Sequence, residues 1–118
     1  MEQNELPPKK ILAVAFYCES NGNEPVRKWL KSLAKENRSI IGKDMCTVQE
    51  GWPLGMPLVK NIGNGIWEVR SSIPNGIARI LFIVKENNMI LLHGFIKKTQ
   101  KIPTQEIEIA RKRLNNLI

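Results

Sequence analysis

Three apolar runs separated by turn residues constrain this chain more than any other feature. Ile66–Ile73 leads through Pro74, Asn75 and Gly76 into Ile77–Lys85, and Glu86, Asn87 and Asn88 lead on into Met89–Ile96. An Asn-Gly pair between apolar runs suits the left-handed backbone of a tight hairpin, so the pattern predicts an antiparallel meander. In the middle run Ala78, Ile80 and Phe82 alternate with Ile77, Leu81 and Ile83, so both parities are apolar. That is a central strand covered on both faces. A sheet with two apolar faces needs a layer on each.

The rest of the chain offers those layers. Ile11 to Cys18 is continuously apolar and reads as a strand covered on both faces, ending at the turn cluster Ser20 to Asn23. Pro25 suits a first helical turn, and Val26, Trp29, Leu30 and Leu33 recur at helical spacing behind it. Asn37 or Ser39 can cap a second helix with Ile41, Met45 and Val48 as its stripe, ending at Gly51. Residues 52–65 are rich in Gly and Pro and read as a loop pinned by Leu54, Met56, Leu58 and Ile62. Pro103 opens a last helix with Ile107, Ala110, Leu114 and Leu117 facing inward. The expected fold class is α+β, in the order β-α-α-β-β-β-α, with a helical hairpin and a C-terminal helix packed on an antiparallel sheet. All 118 residues make one domain, with residues 1–8 as a loosely held tail.

Charge is unevenly spread. Residues 1–59 hold 8 bases against 7 acids, and residues 60–118 hold 10 bases against 4 acids, so the C-terminal half carries most of the +7. Such asymmetry points to a polyanionic partner, or else to a basic face kept for solubility. Cys18 and Cys46 lie in apolar-patterned segments and are expected as buried thiols. The single histidine, His93, and the want of a Cys-x-x-Cys or carboxylate cluster predict no metal. No cofactor is expected. With no apolar run long enough to span a bilayer and no signal-peptide pattern, the expected location is the cytoplasm.

One charge stands where a strand should be apolar. Arg79 is the only charge inside the middle run, and a lone guanidinium there costs several kcal/mol unless it is paired or opens into a polar cleft. Two readings stand open: an Arg79–Glu68 structural pair, or a guanidinium at the floor of an anion site backed by Arg70 across the hairpin. The next run carries His93 and leaves through Lys97, Lys98, Thr99, Gln100 and Lys101, a cationic strand end.

Taken together, Gly65-Ile66-Trp67-Glu68-Val69-Arg70, Arg79-Ile80-Leu81 and the run Leu91 to Pro103, followed by Glu106, Ile107 and Ala110, resemble the phage-derived HigB-like branch of the RelE/ParE toxin superfamily. The likeness extends from about Ile11 to the C-terminus and includes Pro25-Val26, Leu33, Pro57, Lys60 and Ile62. It implies a RelE-like toxin of a type II toxin–antitoxin pair, a ribosome-dependent endoribonuclease that cleaves messenger RNA. Its implied partners are a cognate helix-turn-helix antitoxin and the ribosome with its message, with no membrane and no metal. Catalytic roles carry over to Arg70 and Arg79, and RNA contacts to Lys60, Lys97, Gln100 and Lys101.

The chemistry implied is attack of a ribose 2′-hydroxyl on the adjacent phosphorus, which needs a base, a charge stabiliser and an acid. Guanidinium suits the stabiliser, because its fork fits phosphate oxygens. Lys98 is the expected base or acid. His93 can replace it, or can be a hydrogen-bonded packing residue. Glu68 is expected to orient Arg70. Two rivals remain: a ParE-like inhibitor of DNA gyrase, and an inactive remnant that only binds RNA or an antitoxin.

Overall fold

A computed structural model describes residues 11–98 and 101–117. The elements are β1 (Ala13–Phe16), α1 (Pro25–Ser32), α2 (Lys35–Gly51), β2 (Val59–Gly63), β3 (Ile66–Ile73), β4 (Gly76–Lys85), β5 (Asn88–Lys97) and α3 (Thr104–Asn115). They form a five-stranded sheet in the order β1-β5-β4-β3-β2. The expected meander is β3-β4-β5, with β4 in the centre of the sheet and buried on both faces.

The α+β class holds, and four of the finer expectations need correction. An extra strand, β2, lies in the segment read as a loop, so the order is β-α-α-β-β-β-β-α. Its link to β3 carries Asn64 at φ 55° and Gly65 at φ 83°, the left-handed pair a two-residue hairpin requires. The sheet is mixed, because β1 runs parallel to β5 while the other neighbours are antiparallel. β1 is an edge strand with half-exposed residues, shorter than the run Ile11 to Cys18. Only Leu12 and Tyr17 at its flanks are deeply buried there. The second helix starts at Lys35, ahead of Asn37, with no side-chain cap; Glu36 in its first turn favours the helix dipole instead.

Both cysteines are exposed, against expectation. Cys18 follows the end of β1, and Cys46 lies beside the buried stripe Ile41, Met45 and Val48 of α2, turned away from it.

Each sheet face carries its own core. One packs Val26, Ile41, Met45 and Val48 of the helical hairpin against Val69, Ile80, Phe82 and Leu91. Gly94 lies on this face, and its missing side chain lets the Trp29 ring of α1 close onto β5. The other packs Ala110, Ile107 and Leu114 of α3 against Leu81, Ile83, Leu92 and Phe95. α3 lies chiefly over β5 and β4, so the β3–β2 side of this face keeps no helical cover of that extent. Among the described residues no helix is long and apolar enough to cross a membrane.

Candidate functional site

Strand alternation turns Glu68 and Arg70 of β3 to the face that carries α3. Arg70 stands directly opposite Arg79 of β4, and Lys60 of β2 directly opposite Glu68. Two like charges across a rung repel. Glu68 lies between them: its Oε2 is 3.2 Å from Arg79 Nη1 and its Oε1 is 3.6 Å from Arg70 Nε. Glu68 and Arg79 have no exposed side-chain surface, whereas Arg70 keeps 12%.

That difference separates their roles. The structural pairing of Arg79 with Glu68 is the arrangement found. A guanidinium with no accessible surface cannot touch a bound polyanion, so Arg79 braces Glu68, and Glu68 holds Arg70 at the rim. Of the two readings of Arg79, the pairing with Glu68 is present, and the guanidinium has no exposed surface at which to meet a phosphate directly. Burying a charge is tolerated where it is paired and hydrogen-bonded, and the Glu68–Arg79 bond meets that condition.

His93 lies under α3. Its Nε2 is 2.8 Å from Glu106 Oε1, its Nδ1 is 3.4 Å from Arg113 Nη1, and its ring stacks on Phe95 at 5.5 Å. In the neutral ring Nδ1 accepts from Arg113, which can only donate, and Nε2–H donates to Glu106. Arg113 also donates to the Leu92 carbonyl at 2.7 Å and lies over the Tyr17 ring, whose hydroxyl accepts from Asn116 at 3.0 Å. Both ring nitrogens are thus engaged by α3, an arrangement that ties His93 to that helix.

Lys97 ends β5 opposite Ile77, one same-face rung beyond Arg79 and Phe95, and is half-buried. Lys98 is exposed, its stem passing over Gly76, where an added Cβ would lie 3.4 Å from Lys98 Cγ. Lys60 and Lys101 are exposed as well. Gln100 and Thr99 lie outside the described residues. Lys60, Arg70 and Lys97 therefore share one face with Arg79, which is fully buried, and with His93, whose side chain keeps 15% exposure under α3.

Beside Arg70 is a cleft built from segments far apart in the sequence. It has a volume of about 550 Å³ and is lined by Ile40 and Asp44 of α2, Pro57, Leu58, Ser72 and Ile77 together with Arg70. The one signal for it in the sequence is Asp44, a carboxylate next to the apolar stripe residue Met45. Among the described residues no three His, Cys, Asp or Glu side chains are grouped to hold a metal ion.

A mixed sheet with a helical hairpin on one face, and on the other a braced arginine beside exposed lysines, defines a small α+β protein with a cationic sheet face. The family model for "Phage derived protein Gp49-like (DUF891)" matches residues 28–115. The chain belongs to this family, a family of RelE- and HigB-like toxins. No curated protein matches the chain.

Proposed function

We propose that this chain is the HigB-like toxin of a type II toxin–antitoxin pair and cuts messenger RNA on the ribosome. The observation that carries the reading is Arg70: its side chain keeps 12% exposure on the sheet face, its Nε lies 3.6 Å from Glu68 of the buried Glu68–Arg79 pair, and Lys60 and Lys97 are on the same face. A cation fixed in this way can meet the charge that grows on a phosphate without reorganising during the reaction.

In the reaction the ribose 2′-oxygen forms a bond to the adjacent phosphorus as the bond from phosphorus to the 5′-oxygen breaks. The products are a 2′,3′-cyclic phosphate and a free 5′-hydroxyl. Arg70 stabilises the phosphorane-like transition state through paired N–H donors. Lys98, exposed at the end of β5, moves the proton, because His93 is engaged by Glu106 and Arg113. Lys60, Lys97 and Lys101 hold the RNA backbone. The site works in the cytoplasm on ribosomes and is silenced by a helix-turn-helix antitoxin that brings acidic residues or an apolar helical face over Arg70 and Lys98.

The test is message cleavage in a translating extract, mapped by primer extension, with wild type, Arg70→Ala and Lys98→Ala. Cuts are expected with wild type only, and both variants should permit growth without antitoxin. Loss of one fixed charge contact in a transition state lowers the rate on the order of 100-fold or more. Intact message together with trapped gyrase–DNA complexes would replace the nuclease reading by the gyrase one.

A further inference from the structure

The cleft beside Arg70 opens where the sheet edge meets α2. The Leu58 carbonyl accepts from the Arg70 amide at 2.9 Å, and the β2–β3 pairing runs from Val59 onward, so Ser72 lies beyond the end of β2. Alternation along an antiparallel strand turns the Ser72 amide and carbonyl the same way as those of Arg70, into this opening. Ile40, Pro57 and Leu58 give it apolar walls, Asp44 lines it from α2, and Arg70 stands where it meets the cationic face. Its volume of about 550 Å³ falls within the roughly 300–1,000 Å³ of small-ligand pockets.

Asp44 is half-buried, and among the described residues its carboxylate has neither hydrogen bond nor ion pair. A carboxylate only accepts, and its two oxygens take two parallel donors best. The cleft thus calls for a flat apolar body that offers two adjacent N–H donors and carries an anionic group toward Arg70. A nucleobase with its phosphate has that chemistry. Guanine alone among the RNA bases has adjacent N1–H and N2–H donors on one edge. In adenine and cytosine the single amino donor is flanked by a ring nitrogen acceptor, which would face the second carboxylate oxygen. Uracil's one N–H lies between two carbonyls.

We infer that this cleft is a base pocket selecting guanine next to the cleaved phosphate, with Asp44 as its specificity-determining residue. The inference rests on the RNA-cleaving reading, yet it can fail or stand apart from it. A well-made bidentate contact to a base discriminates by about tenfold or more.

The test uses the full chain and labelled hexaribonucleotides that differ in one central base, each blocked from cleavage by 2′-O-methyl groups. Fluorescence anisotropy should show the guanine-containing RNA bound about tenfold more tightly than the other three. Asp44→Asn, which presents a donor where an acceptor stood, should level that preference while its thermal melt matches wild type. Equal affinity for all four RNAs, binding of none, or a guanine preference unchanged in Asp44→Asn overturns the inference, even if wild type cuts message on ribosomes. A guanine preference that depends on Asp44, in a protein that leaves message intact, keeps the pocket and removes the nuclease.

Discussion

Arg79→Met tests the brace beneath the candidate site. The change removes a guanidinium that has no solvent exposure and leaves Glu68, equally buried, with Arg70 3.6 Å away. Removing one member of a buried ion pair costs about 3–5 kcal/mol, because the other charge stays out of water without its partner. Arg70 offsets part of that loss, which places the expected cost near the low end, about 3 kcal/mol. Unfolding entropy of about 2.1 cal/mol/K per residue over 118 residues comes to about 0.25 kcal/mol/K. The Tm should therefore fall by about 12 °C. In Glu68→Leu, Arg79→Met both charges are gone, and apolar replacement of a whole buried pair is often neutral or stabilising. The double variant should melt within about 4 °C of wild type. Its Arg70 has nevertheless lost its anchor, so expression without antitoxin should no longer arrest growth. Circular dichroism melts and a growth assay read both outcomes. A single variant that melts like wild type, or a stable double variant that is fully toxic, would refute the argument that Glu68 and Arg79 hold Arg70 in place.

Gly94→Ala puts a methyl group into the ring of Trp29, and such overpacking costs about 1–3 kcal/mol. A lowered melt that Trp29→Leu partly restores is expected, and an unchanged melt would mean that α1 does not seat on β5. Glu106→Ala removes the acceptor of His93 Nε2–H, so amide exchange in α3 should accelerate about tenfold, measured by hydrogen exchange with mass spectrometry. Equal rates in wild type and variant would show that the His93 contact does not fasten the helix. Lys60→Ala, Lys98→Ala removes two exposed ammonium groups and should leave stability within about 0.5 kcal/mol of wild type. Each phosphate contact adds roughly 0.7–0.9 to the log–log slope of affinity against salt, so the slope for ribosome association should shrink by about 1.5. An unchanged slope would place both lysines away from the RNA.

The meander was legible because its turns are written in local chemistry, and β4 because both of its parities are apolar. β2 was obscured by its surroundings: Val59 is buried while Lys60 and Asn61 are exposed, so a short edge strand shows little alternation amid Gly and Pro. The Asn64-Gly65 pair carries the same hairpin signal as Asn75-Gly76 and lies at the β2–β3 turn. The cysteines misled because apolar neighbours along the chain say nothing of which side of α2 Cys46 takes. The Glu68–Arg79 pair was readable as one of two alternatives, since a charge inside an apolar strand must be met by a nearby opposite charge. Asp44 was not readable in that way. Its position beside Arg70 depends on how α2 crosses the sheet edge, a non-local relation that no spacing within the helix encodes.

The charge most conspicuous in the sequence is therefore not one that meets solvent. Arg79 draws notice because it interrupts an apolar pattern, and an interruption of that kind marks a residue in the core, where a polar group must find its partner inside the protein. Arg79 does so with Glu68, and the part-buried His93 does so with Glu106. A residue that acts on a ligand needs open surface, and Lys60 and Lys98 have it because their neighbours leave them uncovered, while the half-buried Asp44 has it only toward the cleft it lines. Arg70 belongs to both groups. Its strand turns it toward the buried Glu68 while its position beyond the main cover of α3 leaves it 12% exposed. Rigidity comes from the first relation and access from the second, and Arg70 is the side chain at which this fold brings the two together.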